Sequence, residues 1–253
     1  AAGSPRRVGR IDIGAYEVVY IAHVDDGYTS SACGGHVWNV DAFTTIQAGV
    51  NAVAVSGTVH VAAGTYAENL DLAKPVALLG PNADISPNTG TRVPEAVIDP
   101  PGTGNNWVGR AIKIATDDVT IKGFKVTGVD SDAAIVSGYG SYGINTENVL
   151  IEKILFADIT ASAIYTMSVS GQCSNWTVTD NRIQNVANGA TPNSGMNLWD
   201  QSNLICTYNE ILNVGYAGIQ LGGGVGVTTA TVQYNKITNV AQQGIQIANA
   251  CSD

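Results

Sequence analysis

The chain has 253 residues, 45% of them hydrophobic and only 13% charged, with a formal net charge of −9. An acidic chain repels phosphate backbones, which sets nucleic acid aside as a partner. No apolar run reaches the ~18 residues of a membrane-spanning helix, which sets membrane insertion aside.

In chain order, Ala1 rather than Met opens the sequence and nothing resembles a signal peptide, so the chain reads as a mature or excised fragment. Residues 1–20 read as an N-terminal extension or the end of a preceding module, 21–57 as a linker and N-terminal cap, and 58–253 as one repetitive body. Thr44 to Val53 (TTIQAGVNAV) predicts a short amphipathic helix over about 44–53, with Ile46, Val50 and Val53 on one face. Strands are expected at Val59–Val61, Leu70–Leu72, Val76–Leu79 and Ala96–Ile98, with Pro75 and Pro81 at turns or edges. The cysteines Cys33, Cys173, Cys206 and Cys251 form no CxxC pair, which speaks against zinc and leaves disulfides or buried thiols. His60 alternates with Val59 and Val61 and reads as a surface strand residue.

The second half repeats. Nonapeptides begin at Ile121 (IKGFKVTGV), Ile151 (IEKILFADI), Val178 (VTDNRIQNV), Cys206 (CTYNEILNV) and Val232 (VQYNKITNV). Each has a companion strand: Ala111-Ile112-Lys113-Ile114, Gly143-Ile144-Asn145-Thr146, Ala163-Ile164-Tyr165-Thr166, Gly195-Met196-Asn197-Leu198, Gly218-Ile219-Gln220-Leu221 and Gly244-Ile245-Gln246-Ile247. A unit this short cannot bury its own apolar face, so copies must stack, with strands pairing in parallel at ~4.8 Å per coil. Inward ladders are expected at Ile112, Ile144, Ile164, Met196, Ile219 and Ile245, and at Val126, Phe156, Ile183, Ile211 and Ile237. Asparagines repeat in register as Asn181, Asn209 and Asn235, and as Asn185, Asn213 and Asn239 after Asp158, which fits side-chain amides hydrogen-bonding along the stack. The last unit stops in mid-coil, so either the native chain continues past Asp253 or a partner covers that end, with end-to-end self-association among the outcomes.

Residues 43 to 82, FTTIQAGVNAVAVSGTVHVAAGTYAENLDLAKPVALLGPN, resemble the opening of many pectate-lyase-like right-handed β-helix proteins of bacteria, and the N-x-I-x-N-V units resemble repeats of that superfamily. Arg10 to Glu17 (RIDIGAYE) resembles the closing motif of repeated modules in large bacterial surface proteins. These resemblances imply an all-β, right-handed parallel β-helix with a short N-terminal capping helix, an extracellular or cell-surface location, and a substrate lying along the outer face of one sheet. The superfamily spans lyases, hydrolases, esterases, epimerases and non-catalytic adhesins, so it implies fold more than reaction.

On the outer face of the Gly-Ile strands, alternation places Lys113, Asn145, Tyr165, Asn197 and Gln220 in one column and Glu147 and Trp199 in the next. Aromatic faces stack on sugar rings and amides bond hydroxyls, so this column is the candidate surface for a polysaccharide or cell-surface glycan. For a glycosidase, the candidate carboxylate pair is Glu147 and Asp200, two coils apart and so roughly 10 Å by rung spacing. Asp130 and Asp132 form the candidate loop for Ca2+; no other cofactor is expected. The readings carried forward are a structural, adhesive or glycan-binding module, a polysaccharide lyase or glycoside hydrolase, and a self-assembling structural protein.

Overall fold

The computed structural model describes residues 18–101, 110–130, 133–137, 145–168, 171–186 and 193–248. The Arg10–Glu17 motif, Asp132, Ile144 and Cys251 lie outside them. The chain winds through three long sheets in which every strand pair is parallel. In spatial order the first sheet holds Ala42–Phe43, Ile21–Val24, Gly57–Val61, Val76–Leu79, Val119–Lys122, Leu150–Glu152, Thr177–Thr179, Leu204–Thr207 and Ala230–Gln233. The second holds Gly64–Tyr66, Ala96–Ile98, Lys125–Val126, Leu155–Ile159, Arg182–Val186, Glu210–Val214 and Lys236–Val240. The third holds Leu70–Leu72, Ile112–Ile114, Ala133–Ser137, Ser162–Thr166, Met196–Trp199, Ile219–Gly222 and Ile245–Ile247.

From Gly57–Val61 onward each coil contributes one strand per sheet, so equivalent residues meet one rung apart. On the second sheet Tyr66, Ile98, Val126, Phe156, Ile183, Ile211 and Ile237 form the expected inward ladder. On the third sheet the ladder is Leu70, Ile112, Ile135, Ile164, Met196, Ile219 and Ile245. Ile135 therefore occupies the rung expected for Ile144. Both AAIVS (133–137) and GINT (143–146) fit a period of two, but the former is apolar over its first four residues and all five of its residues are buried. The apolar run wins the core place, and residues 145–149 lead instead into Leu150–Glu152 of the first sheet.

The helix forms over Ile46–Ala52, within the expected span. The Thr45 side chain caps it by accepting from the Ala48 amide, and the Glu68 carboxylate accepts from the Ile46 and Gln47 amides at 2.7 and 2.9 Å. Gly49 lets it approach closely, since a Cβ there would lie 2.8 Å from Val24 Cγ2. The helix packs on Ile21–Val24, Ala42–Phe43, Gly57–Val61 and Leu70–Leu72. Because Ile21–Val24 already pairs in register with Gly57–Val61, the parallel ladder starts before residue 58.

The corner from the first to the second sheet is the tightest. It consists of two residues in nearly every coil: Ala62-Ala63, Gly123-Phe124, Lys153-Ile154, Asp180-Asn181, Tyr208-Asn209 and Tyr234-Asn235. The first residue of the last five is left-handed, at φ between 52° and 77°. The second carries the asparagine column where it is Asn. Asn181 Oδ1 accepts from the Ile154 amide at 2.9 Å, and Asn209 Oδ1 accepts from both the Asn181 amide (3.1 Å) and Asn181 Nδ2 (3.0 Å). Asn235 Oδ1 does the same for Asn209, at 3.0 and 2.9 Å. Each Nδ2 also donates one coil back, to Ile151, Val178 and Cys206 carbonyls. Asn181 is fully buried and Asn209 nearly so. The exception is the coil at 80–95, where a long loop replaces the two-residue corner and straps along the next ones. Asn88 Nδ2 donates to Asp180 Oδ1 and to the Asn181 and Tyr208 carbonyls, and Arg92 donates to the Lys153 and Phe124 carbonyls while pairing with Glu95.

The second expected column also forms: Asn185 donates to Asp158, Asn213 to Asn185 and Asn239 to Asn213, at 2.9, 3.1 and 2.7 Å. All four are left-handed and exposed. A third column was not anticipated. Asn148 donates to Asp118, Asn175 to Asn148 and Asn203 to Asn175, again from left-handed positions. Its signal was present in the sequence, as an Asx residue directly before an apolar one in four successive coils: Asp118-Val119, Asn148-Val149, Asn175-Trp176 and Asn203-Leu204.

Candidate functional site

The outer face of the third sheet is built by alternation. Asp71, Lys113, Val136, Tyr165, Asn197, Gln220 and Gln246 align in register, and Trp199 stands beside Gly222 at the end of the fifth strand. Tyr165 and Trp199, on adjacent rungs, bring their ring centroids to 5.5 Å at an interplanar angle of 49°. Both are half-buried, and the Tyr165 hydroxyl donates to Met167 Sδ. Between them Asn197 is only 7% exposed; its Nδ2 donates to Ser162 Oγ at 3.0 Å, while its Oδ1 has no partner. Trp199 Nε1 is likewise shielded and without a partner. Gln220 is half-buried on the next rung. Lys113 lies two rungs before Tyr165 and pairs with Asp71 at 3.2 Å. Asp71 was missed in the sequence reading, although Leu70-Asp71-Leu72 repeats the pattern of Ile112-Lys113-Ile114.

Two expected members of this face are elsewhere. With Ala133–Ser137 in the sheet, Val136 takes the outward place expected for Asn145. Asn145 is exposed on the following turn, where its Oδ1 accepts from Ser168 Oγ. Glu147 is exposed on the same turn, bridges in parallel to Ser174, and donates its amide to Asp117 Oδ1 at 2.8 Å. It is thus tied to the approach of the first sheet rather than to the third-sheet face.

Asp200 directly follows Trp199 but is fully buried in a left-handed conformation. Its Oδ1 accepts from the Val225 and Gly226 amides at 2.7 and 2.9 Å, and its Oδ2 from the Ser168 amide at 3.1 Å. The carboxylate clasps the turns that leave the third sheet in the coils on either side. A Cβ on Gly223 would lie 2.4 Å from Asp200 Oδ1, so this glycine, at φ 114°, is required where the turn meets the carboxylate. The geometry gives Asp200 a structural task, while Glu147 faces solvent on another turn. Asp130 is exposed, and among the described residues no three His, Cys, Asp or Glu side chains converge as a metal site.

The three histidines, separated in sequence, meet on the first sheet. His23 and His60 are register partners with ring centroids 5.6 Å apart, and His36, from the loop after Ile21–Val24, stacks on His23 at 3.7 Å. His36 Nδ1 lies 3.6 Å from Asp41 Oδ2. Burial first, then the neighbouring His36 and His60, holds His23 below its ordinary value of 6.5, with Asp41 pulling the other way. Cys33, Cys173 and Cys206 are free thiols. Burial pushes Cys206 up to about 12 and also raises Cys173, as expected of inert core thiols.

These features define a parallel β-solenoid with one aromatic and amide-lined outer face. The description "Right handed beta helix region" matches residues 110–252, more than half of the chain, and the protein belongs to that family. No curated protein matches the sequence. Among solved structures, the fold is similar to a rhamnogalacturonan lyase with a TM-score of 0.59 at 14% identity, over 87% of this chain and 56% of the lyase. The chain therefore spans little more than half the length of that enzyme. A pectin methylesterase from Aspergillus niger aligns over 92% of this chain and 90% of its own, at 14% identity and a TM-score of 0.34.

Proposed function

We propose that the chain is an extracellular or cell-surface β-helix module, structural or adhesive in role, that binds a glycan on the outer face of its third sheet without turning it over. The observation that carries this reading is the Tyr165–Trp199 ring pair, half-buried on adjacent rungs with the Asn197 and Gln220 amides alongside. Such a pair offers apolar faces for pyranose rings and amides for their hydroxyls. Binding rather than hydrolysis is favoured because a glycosidase requires two carboxyl groups flanking the scissile bond, whereas Asp200 is enclosed by three backbone amides. The rival reading, a polysaccharide lyase or hydrolase, draws on the likeness to a rhamnogalacturonan lyase, which at 14% identity speaks to fold.

The test is a glycan array followed by calorimetry on the hits. Wild type is expected to bind at least one polysaccharide, and Trp199→Ala to bind it at least about tenfold more weakly, given the apolar area lost. Sustained release of reducing ends or unsaturated product would replace the binding reading with the enzymatic one. Absence of binding across the array would sink it.

A further inference from the structure

Resting on that reading, we infer that the third-sheet face selects neutral, hydroxyl-rich glycans and discriminates against polyuronates. Two orphan atoms belong to residues two apart on one strand. Asn197 Oδ1 is an acceptor and Trp199 Nε1 a donor, both are shielded from solvent, and neither has a partner. Residues two apart on a strand point to the same side, with Cα atoms ~6.6 Å apart. Buried polar groups without partners call for an explanation, and a bound group that supplies the missing hydrogen bonds is one.

The chemistry of the two atoms constrains that group. It must be small, because both atoms are shielded. A single group that answered both would accept from the indole N–H and donate to the amide oxygen. A hydroxyl does both. An ionised carboxylate only accepts, so it would answer Trp199 and oppose the lone pairs of Asn197 Oδ1. Exchanging the Asn197 oxygen and nitrogen would leave two donors, which a hydroxyl or a carboxylate satisfies, and the discrimination would then rest on charge alone.

Charge points the same way. Along the aligned column, the rungs of Tyr165, Asn197, Gln220 and Gln246 carry no formal charge, and the cation of the column, Lys113, is already on Asp71. Nothing on these rungs would offset the desolvation of a uronate against the aromatic pair. The chain's net charge of −9 adds a long-range repulsion toward a polyanion.

The experiment compares each member of a polyuronate panel with its carboxyl-reduced form, in which every carboxylate has become a CH2OH group on the same backbone. Binding is measured by calorimetry with wild type, Trp199→Phe and Trp199→Ala. The reduced form is expected to bind at least about tenfold more tightly at low salt. High salt should narrow the gap by screening the long-range part. Trp199→Phe keeps an aromatic face and removes the N–H, so it should weaken the reduced form by about fivefold. Equal or tighter binding of the native polyuronate, lost in Trp199→Ala, would overturn this inference and leave the binding reading standing. An unchanged affinity in Trp199→Phe would overturn the role of the indole N–H. No binding of either form would overturn this inference, and the parent reading falls with it only if the glycan array is empty as well.

Discussion

Replacing Asn209 by Leu tests whether the buried amide column or the apolar ladders hold the coils in register. Asn209 Oδ1 accepts from the Asn181 amide and from Asn181 Nδ2, and Asn209 Nδ2 donates to the Val178 carbonyl. Leucine matches the shape and takes a partner from these three groups and also from the Thr207 carbonyl and Asn235 Oδ1, which keep the Asp180 and Asn209 amides; the two groups on Asn181 belong to a fully buried residue. Each orphan costs about 1–3 kcal/mol, while the leucine returns ~1.5–3 kcal/mol through its own burial. Taking about 2 kcal/mol for each of the three and about 2 kcal/mol for the leucine, the central expectation is a net loss of about 4 kcal/mol. The same change at Asn235 supplies an internal control. It orphans the Asn209 amide, Asn209 Nδ2 and the Cys206 carbonyl in an outer coil, where Ile237 is half-buried and Ile245 is 46% exposed. Asn235 is itself half-buried, so water can approach from its outer side and the loss should be smaller, at about 1–2 kcal/mol. Urea denaturation followed by the fluorescence of the fully buried Trp176 reads both variants. A loss below about 1 kcal/mol for Asn209→Leu, or a larger one for Asn235→Leu, would refute the assignment of that energy to the buried column.

Three further outcomes follow from the structure. Ile183→Asp, which sets a charge between Phe156 and Ile211 in the inward ladder, should abolish folding, and a soluble, cooperatively melting variant would contradict the ladder. Asn213, at φ 55°, should tolerate Gly better than Ala in thermal melts, by about 1–2 kcal/mol, since alanine adds a Cβ penalty in the left-handed region; equal melting would contradict the strain assignment. His23 is held below 6.5 in the folded protein, so the unfolded chain takes up the proton first as pH falls through that value. Its contribution to stability is therefore full above pH 6.5 and is lost as pH drops below it, and His23→Phe should flatten that limb of the melting-temperature profile, while an unchanged slope would argue against it.

The β-helix was readable because its determinants are periodic. The nonapeptides fixed the second-sheet ladder and both expected asparagine columns, since a stack forces like residues to meet. The register failed only at Ile144, where two segments shared one period and burial of the more apolar one decided between them. That single slip displaced Asn145 and Glu147 from the candidate face. Asp200 was misread for another reason: alternation places a residue relative to its strand but does not reveal which backbone amides the next turns will present to it. Tyr165, Asn197 and Trp199 were placed together from the sequence, yet the orphan atoms that sharpen their chemistry depend on shielding by neighbours, which no pattern of letters records. The histidine stack had no sequence signal, because His36 reaches it from an irregular loop.

The two-residue corner has a consequence for how such a chain can change. Between the first and second sheets, apart from the strap at 80–95, successive coils keep one length, while the connections into and out of the third sheet run from two residues (160–161) to thirteen (99–111). Insertions and deletions thus fall on the two borders of the face that carries Tyr165 and Trp199. The spine can stay constant while the rim of that face is rewritten, so its outline can change at little risk to folding.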